Sequence, residues 1–485
     1  MATPSPSTRR LRNFFGGLWH EAEATGYLPV LDPATGEILA EVPLSAASEV
    51  DRAVAAARNA QPAWAQTPLS SRVTILRRAQ TALETMEKDL VEGIVREHGK
   101  TKEAASASLR RGLESLEFSQ GIPHLLQGST LGPIARGVRV STSLEPLGVV
   151  AGITPFDFPA MIPLWMLPLA IGCGNAFLLK PSERVPITAE RIVDAFNRAG
   201  VPPGILNLVH GGPATAEAVL AHPGVNAVAF IGSAETAPRV YGAATAHGKR
   251  AVALAGSKSY FVVLPDADLD RAVPAILDGA FGPSGPRSLA GAVVIAVGAA
   301  AEPLLEELGG PVEELIVGSG MDEATGLGPL NRPADRDRVA LALEAAVREG
   351  AVVVREGTAP AGPGFYHRPV LLDRVRAEMP LSQAEVLGPL IAVIRAESLD
   401  EALSIINRSP SVGAASIFTA SGESAERFRH RVETGLVGIN VGPPSLPAAF
   451  PFVGWNAAGF GGATPTGPGA VAFYSRTRVV VTRWT

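Results

Sequence analysis

The feature that most constrains the fold is an alternation of short apolar runs with amphipathic segments, which begins at Leu147. The runs "GVVAGITP", "AFLLKPS", "ILNLVHG" and "AVAFIGS" have the length of buried strands. The segments "AERIVDAFNRAG" and "ATAEAVLAHPG" are typical of helices that end in glycine. Strands that alternate with such helices form a parallel sheet covered on both faces, with ligands at the carboxyl ends of the strands. The pattern therefore predicts an α/β domain.

A second series of apolar runs follows Gly256: "YFVVLP", "AVVIAVG", "EELIVGS", "AVVVREG" and "GPLIAVIRA". A chain of 485 residues also exceeds the size of one hydrophobic core. We predict a first domain from 1–131 and 147–254, a second α/β domain from 255–460, and an oligomerisation arm from 132–146 and 461–485. The tail "AVAFYSRTRVVVTRWT" reads as one long alternating strand that pairs with the earlier part of the arm or with another subunit.

The segments outside these series have simpler patterns. Two extended runs flank the turn at 32–36 and predict a hairpin, and helical spacing extends from Ser48 to Ala60 and from Pro68 to about Gly99. The uncharged stretch 158–179 is long enough for a membrane span, but its prolines and glycines favour a buried loop, a helix and a strand. No membrane partner is expected.

Composition narrows the function classes. With 46% apolar and 18% charged residues the chain can bury extensive cores, and a net charge of −5 without a basic run argues against a nucleic-acid partner. Cys173 is the only cysteine, which excludes an internal disulfide, fits a reducing compartment and makes the cytoplasm the expected location. The histidines lack paired metal-ligand spacing, so no metal site is predicted.

Three strand ends carry the candidate ligand contacts. The first turn, "GITPFDFP", lacks the glycine fingerprint of an ordinary Rossmann phosphate loop. The next strand ends in "LLKPSER", where a lysine and a glutamate three residues apart can receive ribose hydroxyls. Taken alone, Ser182 and Glu183 favour the simpler reading that they begin a helix. In "AVAFIGSAETA", Gly232 and Ser233 open a helix whose amides can face a pyrophosphate.

Taken together and in this order, these segments resemble the aldehyde dehydrogenase superfamily. The resemblance covers nearly the whole chain and continues through "GFYHRPVLLDRV", "AEVLGPLIAV", "TGLVGINV" and "FYSRTRVVVTRW". Within the superfamily, "PLGVVAGITPFDFPAMIPLWMLPLAIGCGNAFLLKPSE", "HGKRAVALAGSKSYFVVLPDADLD" and "PFVGWNAAGFGG" are most similar to the methylmalonate-semialdehyde dehydrogenase branch. The resemblance implies an aldehyde-dehydrogenase-like α/β fold with two parallel-sheet domains and a small β arm. The arm and the tail strand predict a homodimer or homotetramer.

The resemblance also implies a cofactor site for NAD, with NADP not excluded. Lys180 and Glu183 would take the adenosine ribose, Glu385 would hold the nicotinamide ribose, and Leu387 replaces the usual aromatic residue beside the nicotinamide. The branch transfers acyl groups to CoA, so CoA is a possible co-substrate, and Ala253 fits the absence of a hydrolytic glutamate. The full predicted cofactor set is Thr154, Pro155, Phe156, Lys180, Ser182, Glu183, Gly232, Ser233, Leu254, Glu385 and Leu387.

The predicted catalytic residues depart from the family. Ser288 stands where the family has its nucleophilic cysteine, and a serine hydroxyl is almost wholly protonated at neutral pH without an adjacent base. Asp157 replaces an asparagine whose amide stabilises the oxyanion, and an ionised carboxylate cannot donate that hydrogen bond. Arg287 is either an anchor for a substrate carboxylate or a residue that orders its loop.

Two hypotheses follow from this combination. The first is an NAD-dependent oxidoreductase for a small aldehyde or acyl substrate, with weak or absent ordinary aldehyde oxidation. The second is a non-redox enzyme, or an NAD-binding scaffold without dehydrogenase activity, that uses the same pocket. In the second, Asp157 and Ser288 would act as an acid/base and hydrogen-bonding pair.

Overall fold

The structure is a computed structural model, and it describes residues 8–282, 292–383, 385–410, 412–442 and 446–484. Its N-terminal part contains the predicted hairpin, which is confirmed as two paired antiparallel strands. The helical pattern at 68–99 is broken at Met86 into two helices, and the second ends at His98, where Gly99 with a positive φ of 98° caps it. These elements are β1 (Asn13–Phe15), β2 (Leu18–His20), β3 (Ala24–Leu31), β4 (Ile38–Ser45), α1 (Ala47–Ala65), α2 (Leu69–Thr85), α3 (Glu87–His98), α4 (Lys102–Ser119) and α5 (Ile122–Leu125).

The arm and the first alternating series follow. The stretch that could have suggested a membrane span forms a loop, a buried helix and a buried strand, as predicted. No helix in the described part of the chain is long and apolar enough to cross a membrane. The elements are β5 (Thr130–Ala135), β6 (Val138–Pro146), β7 (Val149–Ile153), α6 (Met161–Gly172), β8 (Ala176–Lys180), α7 (Ile187–Arg198), β9 (Leu206–Leu208), α8 (Pro213–Ala221), β10 (Ala227–Gly232), α9 (Thr236–Ala246) and β11 (Arg250–Ala255).

The second series supplies another sheet. The prediction of a strand at "EELIVGS" is wrong, because α11 continues to Glu314 and Val317 makes only an isolated bridge with Leu327. The elements are β12 (Lys258–Val263), α10 (Leu269–Ala280), β13 (Val293–Val297), α11 (Ala301–Glu314), α12 (Pro333–Arg348), β14 (Val352–Glu356), β15 (Val370–Asp373), α13 (Pro380–Gln383), β16 (Leu390–Ala396), α14 (Leu399–Arg408), β17 (Val412–Phe418), α15 (Gly422–Arg431) and β18 (Val437–Ile439).

The tail is half helix and half strand, so the prediction of one long strand is wrong for its first half. The last elements are β19 (Gly459–Phe460), α16 (Gly467–Tyr474) and β20 (Ser475–Arg483). Ala470, Val471, Phe473 and Tyr474 lie in the first core, and their spacing is helical. The predicted pairing with the arm is confirmed, since β20 is antiparallel to β6 over its whole length.

Two large sheets organise the molecule. The first has the order β19-β11-β10-β7-β8-β9-β1-β2, and its central strands from β11 to β9 are parallel. The second has the order β14-β15-β16-β13-β12-β17-β18 and is parallel from β15 to β18. Tyr260 and Val262 face one core of the second sheet, while Phe261 and Val263 face another. Both faces are therefore covered, as the apolar runs predicted.

Candidate active site

The predicted cofactor turn leaves β7 at the centre of the first sheet. Thr154 is 5% exposed, and its amide donates to the Lys180 carbonyl at 3.2 Å, which joins the carboxyl ends of β7 and β8. Phe156, after the half-buried Pro155, stacks on the buried His98 ring with centroids 5.9 Å apart. The turn therefore lies at the sheet edge where ligands of parallel α/β domains bind.

Asp157 is also held at this turn. It is 3% exposed, and its carbonyl oxygen accepts a hydrogen bond of 2.7 Å from Lys100 Nζ. The Lys100 ammonium group lies 4.6 Å from the centre of the Phe158 ring. A carboxyl group at this position is thus enclosed by protein rather than by solvent.

Lys180 and Glu183, which we call the β8 pair, lie where β8 ends. Lys180 Nζ is 3.2 Å from Glu183 Oε2, and the lysine is 5% exposed. Burial alone would raise the pKa of Glu183, but Lys180 and a backbone amide outweigh burial and lower it. Burial lowers the pKa of Lys180, which Glu183 partly opposes. Glu183 is therefore ionised at neutral pH and oriented by a cation.

The alternative that Ser182 and Glu183 begin a helix is wrong. Helix α7 begins at Ile187, and Ser182 is instead part of a turn in which its hydroxyl oxygen accepts from the Arg184 amide at 3.3 Å. The β8 pair thus lies outside any helix, with Lys180 at the end of β8 and Glu183 in the loop before α7.

The helix predicted to open at Gly232 and Ser233 is α9, which begins three residues later. Ser233 is exposed, its hydroxyl oxygen accepts from the Thr236 amide at 3.3 Å, and its carbonyl accepts from the Ala237 amide. The Ala234 amide donates to the Glu385 carboxylate. A carboxylate of the protein itself therefore already accepts a hydrogen bond from the turn that precedes α9.

Glu385 reaches this helix end across the interface between the domains. Its Oε1 atom lies beside Gly256, where an added Cβ would be only 2.2 Å away. Burial, and after it the neighbouring charge of Asp157, raise the pKa of Glu385 to about 7. Asp157 and Glu385 are therefore close enough for their carboxyl groups to repel each other.

Lys258 completes a second pair with Glu385, which we call the β12 pair. The side chain is 3% exposed and donates to the Leu381 carbonyl, and burial lowers its pKa to about 8. The sequence reasoning missed Lys258, although a lysine that opens an apolar strand is an available signal. The β12 pair can change protonation near neutral pH.

The remaining predicted residues are Leu387, Leu254, Ser288 and Arg287. Leu387, two residues after Glu385 in the sequence, is half-buried. Leu254 is 2% exposed on β11 and lines a cavity of about 890 Å³ together with Trp455 and Phe460. Ser288 and Arg287 lie outside the described residues, so their places in the site stay predictions.

The described residues fit a dinucleotide. The Ala234 amide, just before α9, already donates to a carboxylate, and the missing side chain of Gly256 lets Glu385 Oε1 lie against the backbone there. The β8 pair offers a charged donor and a charged acceptor, which suit the hydroxyls of a ribose. Lys180 and Glu183 could hold one ribose, the amides at and just before the start of α9 the phosphates, and Glu385 the second ribose.

Comparisons with known proteins agree with this geometry. The model of the "Aldehyde dehydrogenase family" matches residues 19–480. A malonate-semialdehyde dehydrogenase of Halalkalibacterium halodurans is 42% identical over 477 residues, covering 98% of each chain. One of Geobacillus thermodenitrificans, named malonate-semialdehyde dehydrogenase 1, is 41% identical over 477 residues, covering 98% of this chain and 99% of its own.

Solved structures give the same result. A putative methylmalonate-semialdehyde dehydrogenase from Sinorhizobium meliloti, crystallised with NAD, superposes with a TM-score of 0.97 at 35% identity, covering 99% of each chain. A methylmalonate-semialdehyde dehydrogenase from Oceanimonas doudoroffii superposes with a TM-score of 0.96 at 37% identity, also over 99% of each chain. The predicted fold class is therefore confirmed.

Proposed function

The chain belongs to the aldehyde dehydrogenase family, and from this premise we propose that it is an NAD-binding oxidoreductase related to methylmalonate-semialdehyde dehydrogenases. The observation that carries the proposal is the β8 pair, a buried lysine 3.2 Å from an ionised glutamate at the carboxyl end of a central parallel strand. The similar S. meliloti structure, solved with NAD, supports the same cofactor.

The chain's own residues would bind and orient the cofactor. The Glu183 carboxylate would accept from the ribose hydroxyls, and because it is ionised it would repel a 2′-phosphate. We therefore propose NAD as the preferred dinucleotide over NADP. Glu385 would leave the Ala234 amide when the pyrophosphate arrives and would then be free to meet the nicotinamide ribose. When bound, NAD supplies a hydride acceptor.

The proposed substrate is a small acyl semialdehyde. The relatives named malonate-semialdehyde dehydrogenase, at 42% and 41% identity, favour this class, and Arg287 is the proposed anchor for its carboxylate. CoA is proposed as a possible acyl acceptor, as in the branch that the sequence resembles.

We propose that ordinary aldehyde oxidation is weak or absent. Ser288 offers a hydroxyl in place of a thiolate, and the buried Asp157 offers a carboxyl in place of an oxyanion donor. Loss of one such donor typically costs roughly 10²-fold to 10³-fold in rate. Both changes fall on the same chemical step, while the dinucleotide contacts are separate from it.

A second candidate is a non-redox enzyme or an NAD-binding scaffold. The observation that favours it is the electrostatic coupling of Asp157 to Glu385, which raises the pKa of Glu385 and gives the pocket acid and base groups without a thiolate. In this case NAD would bind, but no NADH would form from any semialdehyde.

The deciding experiment has two readouts on the same full-length protein. Calorimetry with NAD tests binding, and absorbance of NADH during incubation with malonate semialdehyde or methylmalonate semialdehyde, with and without CoA, tests turnover. Binding with slow NADH formation supports the oxidoreductase. Binding without NADH above the buffer rate supports the second candidate, and absence of binding contradicts both.

A further inference from the structure

A network around Arg184 joins the cofactor turn to the second domain. The Arg184 guanidinium lies 3.7 Å from the centre of the Phe156 ring, a cation–π contact, and its side chain is only 17% exposed. The same guanidinium donates through Nε to Asn331 Oδ1 at 2.9 Å and through a terminal nitrogen to Asp335. One residue next to the β8 pair therefore contacts both domains.

The other side of the network returns to the first domain. The Asn331 amide donates to the carbonyl oxygens of Glu97 and His98 at 3.0 and 3.3 Å. The Phe156 ring therefore has two neighbours, the stacked His98 ring and the Arg184 guanidinium. Asn331 thus binds to both neighbours of the Phe156 ring.

Helix α12 carries this network to the opposite end of the site. Asp335 also accepts from Arg338 at 3.0 Å, and the charge of Arg338 lowers the pKa of Glu385. Val339, the next residue, packs so closely on Gly388 that an added Cβ there would be 2.3 Å from its Cγ2 atom. The first turns of α12 therefore touch the loop with the β8 pair and the segment that follows Glu385.

We propose that Arg184 is a positioning residue that makes the affinity for the dinucleotide depend on how the second domain docks against the first. The inference rests on the proposed NAD binding. Arg184 holds the Phe156 ring, and with it the turn after β7, only while Asn331 and Asp335 hold the guanidinium. A planar, five-donor guanidinium can stack and bind both partners at once, which a lysine cannot do.

The test measures NAD affinity by calorimetry and the unfolding midpoint by urea titration, on the full chain. Arg184→Met should weaken NAD binding about tenfold, because a desolvated cation–π contact and two charge-assisted hydrogen bonds are lost at the turn. Asp335 keeps Arg338 as a partner at 3.0 Å, so its carboxylate is not left unpaired. Arg184→Lys should lie between the wild type and Arg184→Met, and it carries the test if Arg184→Met does not fold.

Arg72 provides a matched control in the same domain. It is another buried arginine beside an aromatic ring, 5.8 Å from Trp64, and it donates to the Gly172 and Ala65 carbonyls. Arg72→Met should lower the unfolding midpoint and leave the NAD affinity unchanged, because none of these contacts reaches the cofactor turn.

A double variant tests whether Arg184 acts on NAD binding through the Phe156 ring. Phe156→Leu should weaken binding, and Arg184→Met added to it should cause little further loss, since the two residues act as one unit. Additive losses of NAD affinity in the double variant would overturn the proposal. A lower unfolding midpoint of Arg184→Met with an NAD affinity within about twofold of the wild type would overturn it too, because a change of about twofold is the error expected for unrelated sites. If the wild type itself binds no NAD, the proposed function fails as well, so the two failures are distinguishable.

Discussion

Each end of the candidate dinucleotide site has a lysine and a glutamate, but the two pairs are held differently. In the β8 pair the charged atoms are 3.2 Å apart, and the pKa of Glu183 is lowered. In the β12 pair Lys258 donates to a carbonyl instead, and burial brings the pKa of Glu385 to about 7 and that of Lys258 to about 8. Direct contact keeps a buried carboxylate ionised, whereas burial without contact makes it titrate near neutrality.

This difference corresponds to the two tasks in our proposal. In the β8 pair Lys180 lowers the pKa of Glu183, so an ionised carboxylate can accept from one ribose at neutral pH. A β12 pair that exchanges protons near neutral pH lies beside Asp157, where the chemistry would occur.

The largest effect should come from restoring the family's catalytic groups. The double variant Ser288→Cys with Asp157→Asn should raise the rate of NADH formation from a semialdehyde by roughly 10²-fold or more, because a nucleophilic thiolate and an oxyanion donor return together. NADH absorbance measures it, and NAD affinity should stay near the wild-type value. An unchanged rate would mean that the reaction site differs from the family in more than these groups.

Breaking the contact in the β8 pair should have the next largest effect. Lys180→Met leaves Glu183 largely buried without its cation, so the free energy of unfolding should fall by about 3 kcal/mol, and NAD affinity should fall with it. Urea unfolding and calorimetry give the two values. Arg198→Met, which removes an exposed ion pair with Asp194 at 2.6 Å, is the control and should change stability by less than about 0.5 kcal/mol. Equal losses in both variants would show that the β8 pair has no special role.

A smaller change should appear in coenzyme choice. Glu183→Gln keeps the shape of the side chain and removes the charge that opposes a 2′-phosphate, so the ratio of NADP to NAD affinity should rise about tenfold. Competitive binding of the two dinucleotides measures this ratio. No change in the ratio would remove Glu183 from the ribose site.

The smallest effect concerns the β12 pair and pH. Because the pKa of Glu385 is about 7 in the folded chain against an ordinary value of 4.5, the folded state holds the proton more tightly between these pH values. Stability contributed by this group therefore decreases as pH rises from about 4.5 to about 7. Glu385→Gln should be more stable than the wild type at pH 8, by on the order of 1 kcal/mol, and the gap should close toward pH 4.5.

The control for the pH experiment is Glu433→Gln, an exposed glutamate of the same second-sheet region. Urea unfolding at several pH values compares the three proteins. A constant gap between Glu385→Gln and the wild type across pH 4.5–8 would contradict the titration of Glu385.

Much of the fold could be predicted because it follows from local patterns of apolar and polar residues in the sequence. The runs that became β7, β8, β10, β12 and β16 are short, apolar and followed by helical spacing, so strand and helix periods identified them. The segment "EELIVGS" also contains an apolar run, but it is not a strand. Helix α11 extends through its two glutamates, and Ile316 is 56% exposed. In the tail, Ala470, Val471, Phe473 and Tyr474 had helical spacing that the alternating strand after them obscured.

The site could be predicted only in part, for a physical reason. Lys180 and Glu183 are three residues apart, so their contact is visible in the sequence. Arg184 and Asp335 are 151 positions apart, and Glu385 meets the Ala234 amide across the interface between the two sheets. Such contacts depend on how the domains pack, which no local pattern determines.

The oligomeric state stays a prediction, and the exposed edge strand β20 favours it. β20 is an edge strand of its three-stranded sheet, and Val479, Val481 and Trp484 are exposed along and just beyond it. Exposed apolar edges of this kind favour pairing with another chain. Light scattering should give a homodimer or homotetramer, and a monomer at micromolar concentration would contradict this.

The most direct test of the central claim is calorimetric titration of the wild-type chain with NAD at pH 7, repeated with Lys180→Met. We expect saturable binding of one NAD per chain by the wild type and clearly weaker binding by the variant. No saturable heat from the wild type, or equal affinity in both proteins, would contradict the claim that the β8 pair holds a dinucleotide.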